Sequence, residues 1–442
     1  MTRKSRPPKL SLFPLTAELD GRGHLLIGGC STVELAGQYG TPLYVFDENT
    51  IRARCREFQN EFGRRYPDIN VLYASKAFCN RSLAILLKEE GLGLDVVSGG
   101  EIALAQSVAF PPDRVYFHGN NKSADELKMA LDWDIGRIVV DNLYELDLLN
   151  KLAGEKGKRQ EIMLRVTPGV DPHTHRYTTT GTLDSKFGFP LTTGLAERAL
   201  SRALSAENLS LTGLHFHLGS PIPDTHPYEM AIELVLKFAR EMQDKYNFNL
   251  KEFSPGGGFG VNYTVNSAMP IIADYAKAIT SRLTSTTREA GLAPPRCVIE
   301  PGRAIVAQAG VALYTAGSTK DIPGVRTYVC VDGGMGDNIR PALYEARYEA
   351  LLANRARDEE TDRVTIAGRY CESGDILAKD IYLPPVSSGD TIAMPASGAY
   401  SIPMSSNYNN VPRPAIIMVK DGRSHLIRRR ETYQDLMNLE PV

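Results

Sequence analysis

Between about residues 70 and 302 the chain alternates two patterns of apolar positions. One is a short apolar run: VLYASK (71–76), GLDVVS (93–98), RVYFHG (114–119), RIVVDN (137–142), EIMLRV (161–166), LTGLHFHLG (211–219), FSPGGG (253–258) and CVIEPG (297–302). The other is longer, with apolar residues every three or four positions, as in NRSLAILLKEEG, SADELKMALDW, NLYELDLLNKLAGEKG and YEMAIELVLKFAREMQDKY. Short runs predict strands and periodic stretches predict helices, with Ser123 and Asn142 placed as N-caps. Eight strands alternating with helices predict an α/β fold, a (β/α)8 TIM-type barrel. After residue 305, TYVCVDGG, RVTIAG, DTIAMPA and AIIMVKDG predict a β-rich second domain. HLLIGG and PLYVFDE near the start read as strands belonging to it. The expected domains are a barrel over 48–308 and a β-sandwich or barrel-like domain from 1–47 and 309–442.

The C-terminal rim of such a barrel is where its chemistry is done. Lys76, Asp95, His118, Asp141, Arg165, His217, Gly258 and Glu300 all lie at or near the C-terminal end of a predicted strand. One polar residue there is weak evidence, but eight together point to an enzyme.

Composition narrows the class without naming an activity. The chain has 442 residues, 43% hydrophobic and 23% charged, with a formal net charge of −2. That suits a globular enzyme of two domains and gives no reason to expect nucleic acid or a membrane surface as partner. Six scattered cysteines form no CxxC pair, which suits a reducing cytoplasm. The basic opening MTRKSRPPKL is expected to be a disordered arm, and the basic run IRRR (427–430) a solvated strand end.

Lys76, taken alone, reads as a snorkelling surface residue. At the rim it gains a second reading, a partly desolvated amine lowered in pKa and ready to form a Schiff base. His215 and His217, two apart on a strand, share one face. They suit a metal pair, a ring stacked on a flat cofactor above a phosphate site at Gly219 and Ser220, or two hydrogen-bonded core histidines, and the spacing does not choose. The three glycines of PGGGFG let backbone N–H groups approach an anion. Glu300 at the next strand end adds a carboxylate able to keep a pyridine nitrogen protonated. Pyridoxal phosphate needs these parts: a lysine, a phosphate site and an acid for its ring.

The motifs YASKA, GLGLDVVSGGE, FHGNNKS, SKFGF, LHFHLGS, GGGFG, EPGR, VDGGMGDNIRPALY, CESGD and SSNYNNVPRPA, spread from about residue 40 to 415, occur in the order found in one family. The chain resembles the fold type III pyridoxal-phosphate decarboxylases and, among them, the diaminopimelate decarboxylase family. The resemblance implies that Lys76 carries pyridoxal 5'-phosphate and that His217 stacks on its ring. It implies that Ser220 and the glycines to Gly257 and Gly258 bind phosphate, that Glu300 pairs with the ring nitrogen, and that Asp95, Gly302, Arg303 and Tyr400 complete the cofactor site. Arg303, Arg340, Tyr344, Glu372 and Tyr400 would bind substrate. Cys371 would donate a proton, with Cys371 and Glu372 reaching the partner's site in a homodimer with shared active sites. No metal ligand is assigned. The expected reaction is decarboxylation of meso-2,6-diaminopimelate to L-lysine and CO2. Arginines at 303 and 340 suit the far carboxylate of such a substrate, and Glu372 its ammonium. The bland alternative is that Arg340 pairs with an acidic neighbour. Pro221 and Pro223 in LGSPIP, Gly336 and Asn338 in GMGDNIRP, and Arg369 and Tyr370 before Cys371 depart from the family pattern.

Three rivals stand beside this reading. A sister decarboxylase for ornithine, lysine or carboxynorspermidine shares cofactor and fold. A metal-dependent barrel hydrolase would use His215 and His217, although such enzymes place the pair on the first strand and here it falls on the sixth. A catalytically dead binding protein would have no need to keep Lys76, Glu300 and Cys371.

Overall fold

The computed structural model describes residues 7–171, 180–182 and 184–441. It has two compact units: Arg54–Gly260 with Met269–Gly302, and the chain up to Ala53 with Val261–Ala268 and everything from Arg303.

The first unit is the expected barrel. Its strands are β1 (Ile69–Ala74), β2 (Gly93–Val96), β3 (Val115–Phe117), β4 (Arg137–Val140), β5 (Gln160–Thr167), β6 (Leu209–His215), β7 (Glu252–Gly256) and β8 (Arg296–Ile299). Each pairs in parallel with the next, and β8 pairs with β1, Cys297 opposite Ile69, so no edge is left open. Phe189–Pro190 adds a two-residue strand beside β5. Most positions on these strands are buried, because one face meets the barrel interior and the other the helices. The helices start where the side chains allow: Asn80, Ser98, Ser123 and Asn142 each accept the amide N–H three residues on. Each such cap is worth about 1 kcal/mol.

Inside the barrel Leu72, Tyr116, Val139, Met163 and Val298 form a layer. Beneath it, at the N-terminal ends of the strands, the buried Glu252 carboxylate takes hydrogen bonds from Arg137 (2.7 Å) and Tyr116 (3.1 Å). This pair plugs the base, which leaves the polar side chains at the opposite rim for chemistry.

The second unit is built on Leu43–Asp47, which runs antiparallel to Gly310–Ile322 on one side and parallel to Ala415–Lys420 on the other. PLYVFDE therefore joins strands from the far end of the chain, as expected. HLLIGG does not enter that sheet. Leu25–Ile27 belongs to a separate sheet with Glu18–Leu19 and Cys30–Ser31, although Leu25 and Ile27 pack into the same core as Leu43, Val45, Val311 and Ile417. The expected disordered arm is corrected within the described residues. Pro8–Leu12 forms a 3-10 turn, and the Lys9 ammonium is buried against Glu360 (2.8 Å) and the Tyr382 carbonyl (2.7 Å). Residues 1–6 lie outside the described residues. The basic run near residue 428 is paired rather than merely solvated: Arg429 bonds Asp435 and Arg430 bonds the Pro42 carbonyl.

Candidate active site

Lys76 lies in a 3-10 turn, Ser75–Ala77, just past the end of β1, and its side chain is exposed. The partial desolvation expected of it is therefore not found. What it has instead is charged surroundings. Burial pushes the neighbouring Asp95 carboxyl up, while His118 and the Lys76 charge pull it down. Burial likewise lifts Glu101 to about 7.

Glu300, immediately beyond β8, is the hub of the rim. Its Oε1 accepts from Ser254 Oγ at 2.8 Å and its Oε2 lies 3.1 Å from His215 Nε2. His118 Nε2 stands 3.6 Å from Glu300 and 3.8 Å from Asp95, without a hydrogen bond to either. Burial drives the His118 imidazole down to about 4 and that of His215 well below its ordinary value. Both rings are therefore neutral near pH 7. On the next strands Asp141 takes the Gly188 N–H at 3.0 Å, and Arg165 lies over the Phe187 ring at 4.3 Å.

The two histidines of HFH part company here. His215 serves Glu300, whereas His217 Nδ1 takes the Gly257 N–H at 3.2 Å. The candidate metal cluster among the described residues is His118, His215 and Glu300, with ligand atoms within 4.8 Å of one another. His217 is not part of it. Gly257 and Gly258 continue from β7, and neither position has room for a side chain. A Cβ at Gly257 would stand 2.2 Å from the Glu300 carbonyl oxygen. At Gly258, φ is +108° and a Cβ would stand 2.6 Å from the Gly219 carbonyl oxygen. Ser220 is half-buried beside Gly219, and the turn at Gly257 and Gly258 is buried, its backbone bare of side chains.

A second cluster belongs to the β-rich unit. Arg303 and Arg340 are 6% and 5% exposed, yet the partners of Arg340 are phenols rather than carboxylates. Its Nη1 donates to the Tyr348 hydroxyl, and its Cζ lies 4.4 Å from the centre of the Tyr263 ring. No carboxylate of the described residues lies within ion-pair distance of Arg340, so the acidic-neighbour alternative fails. Arg303 donates to the Tyr263 hydroxyl at 2.8 Å and stacks on Tyr400 at 4.7 Å. Tyr400 has φ +60°, the left-handed region that non-glycine residues adopt at a cost of about 1–3 kcal/mol. Burial favours the neutral Tyr263 phenol, but Arg303 and Arg340 outweigh it and lower its pKa. Tyr344 ends the short helix that Arg340 begins, and it is Tyr348, four residues on, that bonds the guanidinium. Reading by residue type missed Tyr263, Tyr348 and Ser254.

Cys371 and Glu372 are exposed on a tightly held turn. The buried Asp375 carboxylate accepts the N–H groups of Tyr370 (2.8 Å) and Met335 (2.6 Å). Two of the departures from the family pattern prove to be one: a Cβ at Gly336 would stand 2.1 Å from the Tyr370 hydroxyl oxygen. The larger residue before Cys371 occupies the room left by the smaller one at 336.

A closed (β/α)8 barrel with a lysine and a buried acid at its C-terminal rim, joined to a discontinuous β unit, is the arrangement of a pyridoxal-dependent enzyme. The chain belongs to the pyridoxal-dependent decarboxylase family: the model described as pyridoxal-dependent decarboxylase, pyridoxal binding domain, matches residues 48–307. Among relatives, the diaminopimelate decarboxylase of Bacillus subtilis is 48% identical over 425 residues, covering 96% of this chain and 97% of that one. The solved structure of diaminopimelate decarboxylase from M. jannaschii with L-lysine superposes with a TM-score of 0.91 at 34% identity, covering 97% and 98%. That from Helicobacter pylori, also with L-lysine, gives 0.85 at 32% identity, covering 92% and 98%. The rim fits the family's cofactor. Asp95 Oδ1, His118 Nε2 and His215 Nδ1 are buried without a hydrogen-bond partner, Glu300 offers a fixed carboxylate, and the glycine turn offers a backbone cradle.

Proposed function

We propose that this chain decarboxylates meso-2,6-diaminopimelate to L-lysine, and the observation that carries the reading is a buried guanidinium, Arg340, faced by phenols instead of a carboxylate. A buried cation with no anion is costly, and a carboxylate brought by the substrate relieves that cost. Ornithine and lysine decarboxylases meet an amine at the far end of their substrates and have no use for this charge.

Each residue has a part. Lys76 would bind the cofactor and release it to the substrate amine. The Ser220 and Gly257–Gly258 region would hold its phosphate, with Gly302 and Arg303 beside it. Glu300, fixed by Ser254 and His215, would keep a cation at the ring nitrogen, with Asp95 behind it. His217, its Nδ1 tied to Gly257, would present a ring face. When bound, pyridoxal phosphate supplies the electron sink for the pair left by departing CO2. Arg303, Arg340, Tyr344 and Tyr400 would hold the far amino-acid group, and Glu372 its ammonium. Cys371, exposed on its firm turn, would deliver a proton to the α-carbon in the partner's site. The chain would act in the cytoplasm as a homodimer. No helix among the described residues is long and apolar enough to cross a membrane.

The test is purified protein with pyridoxal phosphate, assayed for CO2 from meso-diaminopimelate, ornithine, lysine and arginine in parallel. Turnover of diaminopimelate alone, with lysine formed, supports the reading. Preference for ornithine or lysine would keep the fold and overturn the carboxylate clamp.

A further inference from the structure

The two arginines of the clamp come from one stretch of chain beginning at Arg303, but what joins them comes from another. Tyr263 lies in Val261–Ala268, the segment that follows the glycine turn and groups with the β-rich unit. It meets both cations in different ways. Its hydroxyl accepts from Arg303 Nη1 at 2.8 Å, while the face of its ring receives the Arg340 guanidinium at 4.4 Å. Tyr348 braces the far side, its ring packed edge-on against Tyr263 at 5.4 Å and 77° and its hydroxyl bonded to Arg340. Two buried like charges repel each other, and a π face with a hydroxyl at its edge holds both without cancelling either. A carboxylate in this place would cancel them and leave nothing for a substrate.

We propose that Tyr263 is the positioning residue of the clamp: it holds Arg303 and Arg340 ready for the far carboxylate of the substrate and so sets the preference for ligands that carry one. The inference rests on the clamp reading given above. It predicts a specific asymmetry. Loss of CO2 from one end of diaminopimelate leaves L-lysine, whose remaining carboxylate is the far one, whereas cadaverine has the same carbon chain and amines with no carboxylate.

The experiment uses the holoenzyme and its Tyr263→Phe, Tyr263→Leu and Arg340→Ala variants, each checked for cofactor absorbance and circular dichroism. Tyr263→Phe keeps the ring and removes the bond to Arg303. The expected result is a KM for meso-diaminopimelate raised about tenfold, the worth of one hydrogen bond to a charged group, with kcat within about threefold. Inhibition by L-lysine weakens by a similar factor, and inhibition by cadaverine stays within about twofold. Tyr263→Leu, which also removes the platform under Arg340, has the larger effect; if it fails to fold, the Phe variant decides alone. Equal weakening toward lysine and cadaverine, or none toward either, overturns the role of Tyr263. If Arg340→Ala leaves the preference for lysine over cadaverine intact, the clamp itself falls. If Arg340→Ala abolishes that preference and Tyr263→Phe does not, only the inference about Tyr263 falls.

Discussion

Lowering the pH of the cofactor-free protein should set His118 and Glu101 against each other. His118 is buried and its imidazole is driven down to about 4 from 6.5. Between those values the unfolded chain binds a proton that the folded one refuses, so stability falls as pH drops through the window and levels off below about 4. At 1.36 kcal/mol per pH unit the gap is worth about 3 kcal/mol. Glu101 has the opposite sign. Burial lifts its carboxyl to about 7 from 4.5, so the folded state takes up a proton first, and stability rises by about 3 kcal/mol as pH falls from 7 to 4.5. The two nearly cancel in the wild type, which makes its own pH profile uninformative and the variants decisive. Denaturant unfolding of wild type, His118→Gln and Glu101→Gln at intervals from pH 7.5 to 4 separates them. Relative to wild type, His118→Gln should gain about 3 kcal/mol across the range and Glu101→Gln should lose a similar amount. Profiles for the three proteins that run parallel would refute the account of a neutral, buried His118.

Other substitutions test the site more directly. Lys76→Ala should abolish CO2 release and the visible absorbance of the bound cofactor; retention of both would remove Lys76 from its role. Gly258→Ala places a Cβ 2.6 Å from the Gly219 carbonyl oxygen at a backbone angle of φ +108°. It should weaken pyridoxal phosphate binding tenfold or more by fluorescence titration, and an unchanged affinity would take the turn out of the phosphate site. Lys76→Ala and Cys371→Ala preparations, each inactive or slow alone, should regain activity when mixed and allowed to exchange subunits, because one hybrid site has both residues. No recovery, with exchange shown by a tagged subunit, would count against shared sites.

The barrel was legible because parallel strands buried on both faces leave continuous apolar runs, and all eight runs became strands. Phe189–Pro190 was not, since two residues carry no period. HLLIGG has a strand-like composition, but composition does not say which sheet a strand joins; hydrogen bonding to Glu18–Leu19 and Cys30–Ser31 decided that. At the site, charge at strand ends located Glu300, His118 and Asp95. Of the two readings of Lys76, the desolvated one fails, because one turn past the strand is enough to expose it. Ser254 and Tyr263 were invisible for a different reason. Their work consists in holding other side chains, and no residue type or spacing announces that.

The same limit explains the departures from the family pattern. Read singly, Gly336 and Tyr370 each suggest a changed substrate preference. In the fold they occupy one space: any side chain at 336 would meet the Tyr370 ring, which is 8% exposed and stacked on Tyr408 at 6.0 Å. Tyr370 and the neighbouring Met335 both donate their N–H groups to Asp375, so the turn bearing Cys371 and the segment leading to Arg340 are fixed to one carboxylate. A bulkier residue on one segment is absorbed by a smaller one on the other, while the backbone bonds to Asp375 stay in place. Asn338 is a different matter. It is 1% exposed with an amide nitrogen lacking a hydrogen-bond partner, and its oxygen meets Ser401 at 3.4 Å. It also lies beside Tyr348, the phenol that supports Arg340. Of the departures near Arg340, the compensated pair conserves packing, whereas Asn338 puts an unsatisfied polar group beside the clamp, so it is the one with a physical route to substrate preference.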